Sequence, residues 1–188
     1  MDILKQFYKN PIQTGAIVPS SKYLTSIITD KYFLKNKKCV VELGSGTGVF
    51  TKHILLHISP TTTFFCIEKN KLFAEQTKKN CPKATVYCDS AEHIQTYLHK
   101  HHQKKCDAII CGLPWSSFTT SIQKNLLQSI YASLDTNGEF LTFAYIHGLF
   151  LPSGIRFFTL LKKTFKEVKK SKIIWKNFPP AIVYFCKK

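Results

Sequence analysis

The fold is decided by the stretch from Val40 to Gly48, which reads VVELGSGTG. A short apolar strand ends at Glu42 and Leu43 and passes directly into glycines at three alternate positions. Glycine lets the backbone adopt left-handed conformations and approach a ligand closely, and a helix that follows such a turn presents free amide groups. The stretch therefore predicts a strand, a tight ligand-binding turn and a helix that begins near Val49.

Short apolar runs alternate with amphipathic stretches along the rest of the chain. Strands are predicted at Cys39–Leu43, Thr63–Ile67, Thr85–Cys88, Ala108–Cys111, Glu139–Tyr145, Lys172–Trp175 and Ala181–Cys186. Helices are predicted at Ser20–Phe33, Phe50–His57, Lys71–Asn80, Ala91–His101, Ser121–Leu134 and Arg156–Phe165. This order predicts an α/β, Rossmann-like fold, with a mostly parallel seven-stranded sheet and helices on both faces. Only residues 177–180 separate the last two strands, which predicts an antiparallel C-terminal hairpin.

Length and composition predict a single domain over residues 1–188, because 44% of the residues are hydrophobic. No apolar run approaches the roughly 20 residues of a membrane-spanning helix, and no signal-peptide region is visible, so we expect a cytoplasmic protein. The seven cysteines include no C-x-x-C pair and are predicted to be reduced core residues. No metal site is expected, including at the histidines at 99, 101 and 102.

The formal net charge of +16 is concentrated at the two ends of the chain. Residues 1–38 hold seven lysines and two carboxylates, and residues 155–188 hold ten basic residues and one carboxylate. This distribution favours a polyanionic partner, either an anionic membrane surface or a nucleic acid. A lysine-rich surface without a partner is the alternative, because arginine is the usual residue for bidentate phosphate contacts.

Three carboxylates follow three successive strands: Glu42, Glu68 and Asp89. The carboxyl ends of parallel strands meet at one edge of a sheet, where such folds bind ligands, and a carboxylate some twenty residues past the glycine turn can accept both hydroxyls of a ribose. The three side chains therefore predict a nucleoside site. Asp89 alone would also fit the N-cap of the helix that follows.

The glycine turn distinguishes between two nucleoside cofactors. A dinucleotide-binding turn needs its third glycine at position 49, where Val49 stands, whereas an acid followed by G-x-G-x-G resembles the motif of class I S-adenosylmethionine-dependent methyltransferases. The resemblance implies S-adenosyl-L-methionine, with Glu42 near its methionine end, Glu68 on the ribose and Asp89 at the adenine amino group. The cofactor-binding residues that it implies are Gly15, Ser20, Glu42, Gly44, Ser45, Gly46, Thr47, Gly48, Glu68, Lys69, Asp89, Ser90, Gly112 and Leu113.

The segment after the fourth strand bears on the methyl acceptor. Enzymes that methylate amino groups often carry Asn or Asp at the position of Gly112, where the side chain holds an aromatic amino group with a delocalised lone pair. An aliphatic amine has a localised lone pair and needs only deprotonation, desolvation and alignment. Gly112 therefore favours a simple amine. The alternative is that Leu113 to Trp115 form only an apolar turn.

The chain resembles the small bacterial phospholipid N-methyltransferases, which methylate phosphatidylethanolamine stepwise towards phosphatidylcholine. The resemblance covers most of the chain and rests on Thr14 to Ser21, Val40 to Thr51, Gly112 to Pro114 and Trp175 to Ala181. It implies a phospholipid substrate and peripheral association with the inner face of the membrane. The glycine motif is also close to that of ribosomal RNA adenine dimethylases, but those enzymes carry Asn where this chain has Gly112.

The catalytic residues expected from these arguments lie near the predicted acceptor. Tyr145, at the end of the fifth strand, is the candidate to hydrogen-bond the amine or help accept its proton, with His147 and Tyr23 behind it. Residues 1–37 are expected to form a helical lid or membrane-contact segment, or to pack on the sheet. Two other functions remain open: an RNA adenine N6-methyltransferase, which Gly112 disfavours, and a non-catalytic membrane- or RNA-binding domain with the same fold.

Overall fold

The computed structural model describes residues 21–188, so the predictions that fall on Gly15, Ser20 and the rest of residues 1–20 lie outside the described residues. The strands are β1 (Cys39–Leu43), β2 (Thr63–Ile67), β3 (Thr85–Tyr87), β4 (Cys106–Cys111), β5 (Leu134–Tyr145), β6 (Glu167–Lys170) and β7 (Ala181–Lys187). The α-helices are α1 (Lys22–Ile28), α2 (Lys31–Leu34), α3 (Val49–His57), α4 (Lys71–Asn80), α5 (Ile94–Lys100), α6 (Thr120–Ser133), α7 (Ile146–Leu149) and α8 (Pro152–Thr164). Two 3₁₀ turns lie at Ala91–His93 and Trp115–Ser117.

The strands form one seven-stranded sheet in the order β3-β2-β1-β4-β5-β7-β6. Strands β1 to β5 pair in parallel, and β7 is antiparallel to both β5 and β6. The predicted fold is therefore confirmed. The strand order reverses direction between β1 and β4, whose carboxyl ends meet where Leu43 pairs with Cys111. In such sheets this switch point is where ligands bind.

The apolar residues of the sheet fill a separate core on each of its two faces. One core contains residues of α5, α6 and α8, and the other contains residues of α1, α2, α3 and α4. Six of the seven cysteines are buried, as predicted, but Cys88 is exposed, so the prediction of a core position is wrong for that residue. Between residues 21 and 188, no helix combines the length and the apolarity that crossing a bilayer requires.

The predicted N-terminal helix over Ser20–Phe33 consists of two helices. The Asp30 carboxylate accepts a hydrogen bond from the Phe33 N–H at 3.0 Å and caps a new helix, α2. Because an N-cap residue has a non-helical backbone, the chain must leave α1 before this point. Ser21 caps α1 in the same way through the Leu24 N–H.

The predicted strand at Lys172–Trp175 is wrong. The hairpin is made by β6, and residues 171–180 connect it to β7, touching the sheet through a bridge between Ile174 and Ala181. The apolar residues at 173–175 suggested a strand, but only Ile174 turns into the core, while Trp175 faces solvent. The edge position of β6 explains the error, because a strand there tolerates lysines on its exposed surface.

Candidate cofactor and acceptor site

The glycine turn after β1 is left-handed at three positions: φ is +77° at Gly44, +57° at Gly46 and +87° at Gly48. Residues with a side chain rarely adopt these angles. A Cβ built on Gly44 would lie 2.9 Å from Leu113 Cδ2, so this glycine is packed closely against the segment after β4. A Cβ on Gly46 would meet no atom within 4 Å. Gly46 therefore leaves an open backbone surface that a ligand can approach.

Side chains of α4 hold the glycine turn in place. The Thr77 hydroxyl donates to the Gly46 carbonyl at 2.8 Å and lies 3.0 Å from the Ser45 hydroxyl, while Asn80 Nδ2 donates to the Thr47 carbonyl at 2.9 Å. The Ser45 side chain is thus buried against α4. Sequence reasoning missed Thr77 and Asn80, because a polar residue within a helix carries no local sign of its tertiary partner.

Glu68, which follows β2, links the glycine turn to the start of α4. Its Oε2 accepts the Gly46 N–H at 3.0 Å and its Oε1 accepts the Asn70 N–H at 2.8 Å. Burial raises the pKa of Glu68, while these backbone hydrogen bonds act in the opposite direction. Each carboxylate oxygen has a second lone pair, so Glu68 can still accept ribose hydroxyls. Lys69 follows it on the exposed rim.

Asp89 follows β3 and is held by three donors. The Tyr97 hydroxyl donates at 2.7 Å, the Ser90 N–H at 2.7 Å, and His93 Nδ1 lies at 3.0 Å. These contacts, the Tyr97 hydroxyl first, lower the pKa of Asp89. The residue that caps the following 3₁₀ turn is Ser90 and not Asp89, since the Ser90 hydroxyl accepts the Glu92 N–H. Asp89 is therefore a fixed, charged acceptor at the rim.

Glu42, near the end of β1, is completely buried. Its Oε2 accepts hydrogen bonds from the Thr51 hydroxyl at 2.7 Å and the Cys66 thiol at 3.2 Å. Burial raises the pKa of Glu42 from 4.5 to about 7. Within residues 21–188, no group hydrogen-bonds to its Oε1. An unpaired buried carboxylate oxygen is costly, so this atom fits an ammonium group such as that of the methionine part of S-adenosylmethionine.

The raised pKa of Glu42 predicts a loss of stability as pH rises. The unfolded carboxyl releases its proton near pH 4.5 and the folded one near pH 7, so the folded state binds more protons between these values. The free energy of unfolding should therefore fall across this window, by about 3 kcal/mol, and level off above it. Glu42→Gln, which stays neutral, should lack this component when urea unfolding is compared at about pH 5 and pH 8. Identical pH dependence in the two proteins would contradict the assignment.

Gly112, directly after β4, contacts the glycine turn. Its N–H donates to the Leu43 carbonyl at 2.8 Å, and a Cβ built on it would lie 2.7 Å from the Gly44 carbonyl oxygen. The position therefore has no room for a side chain. Trp115, a little further on, is a core residue: its ring stacks on Phe157 with centroids 4.3 Å apart.

The catalytic candidates lie in two places. Tyr145 is the last residue of β5 and is half-buried, and its ring stacks on that of the exposed His147 with centroids 5.7 Å apart. Burial raises the pKa of Tyr145. Tyr23 lies on α1, where Lys176 Nζ is 3.3 Å from its hydroxyl. The structure thus brings Tyr145 and His147 together and connects Tyr23 to the segment before β7.

Asn177 is a buried residue to which sequence reasoning assigned no role. Its Oδ1 accepts the Ser21 N–H at 2.9 Å, and its Nδ2 donates to the Pro179 carbonyl at 2.7 Å. These bonds fix the start of α1 to the connection before β7. The prolines that follow it marked a turn in the sequence, but only the fold reveals the contact with α1.

Comparison with known proteins shows which solved structures share this fold. Solved structures with this fold include a SAM-dependent O-methyltransferase of Thermotoga maritima, with a TM-score of 0.67 and 15% identity, covering 89% of this chain and 65% of that one. Another is the N-methyltransferase NodS of Bradyrhizobium japonicum WM9, with a TM-score of 0.66 and 9% identity, covering 97% of each chain. No family model matches the sequence.

The chain has the fold of class I S-adenosylmethionine-dependent methyltransferases. Its sequence is similar to that of the ornithine lipid N-methyltransferase of Singulisphaera acidiphila, with 26% identity over 187 residues, covering 98% of this chain and 93% of the relative. The resemblance to lipid N-methyltransferases that the sequence motifs indicated is therefore confirmed.

Proposed function

We propose that this enzyme transfers methyl groups to the primary amine of a lipid headgroup at a membrane surface. The observation that carries the proposal is the closed position at Gly112, where a Cβ would lie 2.7 Å from the Gly44 carbonyl oxygen. A side-chain amide that could hold an aromatic amino group has no space there. An aliphatic amine does not need that amide, because its lone pair is localised.

Two lipids carry the acceptor chemistry that this site favours. The sequence motifs indicate phosphatidylethanolamine, and the curated relative is named for ornithine lipid. Both present a primary aliphatic amine close to a lipid surface. We propose the amine as the recognised group and treat the two headgroups as separate arms of one assay.

The residues assigned to the cofactor fit its parts. The open backbone face of Gly46 takes the methionine part, Glu68 the ribose and Asp89 the adenine amino group, while the unpaired Oε1 of Glu42 receives the ammonium group. Gly44, Gly48, Gly112 and Leu113 shape the wall of the site, and Lys69 and Ser90 border it. When bound, S-adenosylmethionine would supply an electrophilic methyl group on its sulfonium, with S-adenosylhomocysteine as the leaving group when a neutral amine attacks in line.

Residues at the end of β5 prepare the amine. The Tyr145 phenol, whose pKa is raised by burial, is neutral near pH 7 and offers an oxygen lone pair to an N–H of the acceptor. This hydrogen bond orients the amine, and the imidazole of His147, stacked on the same ring and open to solvent, takes its proton. Tyr23, the remaining candidate, lies on α1 beside Lys176.

A labelling assay tests the proposal. Purified full-length chain is incubated with methyl-labelled S-adenosylmethionine and with vesicles that contain phosphatidylethanolamine, vesicles that contain ornithine lipid, vesicles of phosphatidylcholine alone, or ribosomal RNA. Label should enter the lipid extract only where a primary amine is present, and Tyr145→Phe should reduce the rate by about tenfold to a hundredfold. Label found only in RNA would reject the lipid function and establish the RNA adenine alternative.

A further inference from the structure

Two large aromatic side chains project from the connection between β6 and β7. We call residues 171–180 the hairpin tip. Trp175 is 71% exposed and Phe178 is 82% exposed, and the exposed Lys176 stands between them. Clustered exposed aromatic side chains on a folded protein usually mark an interaction surface.

The hairpin tip is held by specific contacts. The Ile174 N–H donates to the Ala181 carbonyl at 2.8 Å, and the Asn177 N–H donates to the Ile174 carbonyl at 3.2 Å. Ile174 and Asn177 are buried, and the Asn177 side chain anchors the tip to Ser21. The exposed aromatic side chains are thus presented on a fixed frame.

The surroundings of the hairpin tip are positively charged. Lys176 Nζ lies 4.6 Å from the centre of the Tyr23 ring, and Lys22 and Lys172 are also exposed. The sequence has no Asp or Glu from 168 to 188 or from 140 to 166. Glu139 and Glu167 both pair with Lys187, at the other end of the sheet.

The hairpin tip lies at the end of the sheet that carries the acceptor candidates. Tyr145 pairs with Ala181, and the Ile146 N–H donates to the Pro180 carbonyl at 2.8 Å. A surface that binds the hairpin tip therefore also faces the end of β5.

We propose that the hairpin tip docks the enzyme onto an anionic lipid bilayer. Trp175 and Phe178 enter the headgroup layer, and Lys172 and Lys176 contact lipid phosphates, a combination typical of membrane interfaces. The inference rests on the proposed function for its purpose, since docking here brings lipid amines to Tyr145. It assigns membrane contact to a C-terminal segment, in addition to the segment 1–37 that the sequence suggested.

The two tryptophans make docking directly visible. Trp115 is only 2% exposed, so a change in fluorescence on binding comes from Trp175. Vesicles of phosphatidylglycerol and phosphatidylcholine should shift the emission to shorter wavelength, and lipids with brominated acyl chains should quench it. Vesicles of phosphatidylcholine alone should bind at least tenfold more weakly, because each lysine near an anionic surface contributes about fivefold in affinity. Trp175→Phe should abolish the signal.

Vesicle sedimentation provides the quantitative test. The Trp175→Ala, Phe178→Ala double variant should bind anionic vesicles at least tenfold more weakly, and Lys172→Glu with Lys176→Glu should have a similar effect. The matched control is Leu56→Ala, which removes a side chain that is 69% exposed on α3 and should leave binding unchanged. Thermal unfolding of each variant checks that it folds.

Three outcomes would overturn the proposal: no Trp175 response to anionic vesicles, equal loss of binding in the control variant, or a response to ribosomal RNA alone. The assay requires neither cofactor nor turnover. Vesicle binding without methyl transfer to any lipid would therefore refute the proposed function and leave the docking surface intact. Methyl transfer without a Trp175 response would refute the docking surface and leave the proposed function intact.

Discussion

Replacing Glu68 by alanine is expected to weaken the binding of S-adenosylhomocysteine by tenfold to a hundredfold. The carboxylate is the acceptor for the Gly46 and Asn70 N–H groups and is the assigned partner of the ribose hydroxyls. A hydrogen bond to a charged group contributes roughly 1.5–3 kcal/mol, which is about this change in affinity, and the orphaned N–H groups should also reduce the free energy of unfolding by about 1–3 kcal/mol. Titration calorimetry and urea unfolding measure the two effects.

Two further variants show which part of Glu68 matters. Glu68→Gln keeps the shape and one acceptor oxygen but turns a donor towards the other N–H, so its affinity should fall between those of the wild type and the alanine variant. Glu75→Ala removes an exposed carboxylate from α4 and should change neither affinity nor stability. If Glu68→Ala binds S-adenosylhomocysteine like the wild type, the ribose assignment is wrong.

The fold was largely predictable because its signals are local. The five parallel strands are short apolar runs, and the glycine turn fixes the point where β1 gives way to α3. The alternation of these strands with helices then implies a parallel sheet, in which the connections between strands are right-handed. The observed ends of the helices differ from the predicted ones where a capping residue or a proline determines them. For example, α8 begins at Pro152 and not at Arg156, since proline suits the first turn of a helix.

The hairpin and the N-terminal helices were predicted less well because their signals are not local. An edge strand is buried on one side only, so a lysine-rich segment can form β6, whereas the apolar Trp175 lies outside the sheet. The end of α1 depends on the Asp30 side chain, which could equally have been a polar residue on the helix surface. In both cases the tertiary environment, and not the intrinsic preference, decides the structure.

For the site, the sequence indicated which strand ends carry carboxylates but not what those carboxylates contact. Glu42, Glu68 and Asp89 do lie at the ends of three adjacent strands, and the Asp89 N–H donates to the Glu68 carbonyl at 3.2 Å. The partners of these carboxylates lie on neighbouring helices, such as Tyr97 of α5 for Asp89 and Thr51 of α3 for Glu42. No periodicity encodes such pairs.

Giving position 112 a side chain is expected to distort the cofactor site. In Gly112→Ala the new methyl group would lie 2.7 Å from the Gly44 carbonyl oxygen, a backbone atom that cannot move without displacing the glycine turn. Overpacking of this kind costs about 1–3 kcal/mol, and the displaced turn should also weaken the binding of S-adenosylhomocysteine by at least tenfold. Thermal unfolding and calorimetric titration measure both losses.

Comparison with Gly46→Ala separates crowding inside the fold from crowding of the ligand. No atom lies within 4 Å of a Cβ at Gly46, so the free energy of unfolding of this variant should fall by only about 1 kcal/mol, because alanine is strained in the left-handed backbone. Its cofactor affinity should still fall, because the methyl group occupies the open face of the turn. Gly112→Asn tests the acceptor as well. If the site is built for an aliphatic amine, the asparagine destabilises the protein and brings no RNA methylation. A stable Gly112→Asn variant that methylates RNA adenine would show that the fold can accommodate the amide, and the argument from Gly112 for a lipid amine would fail.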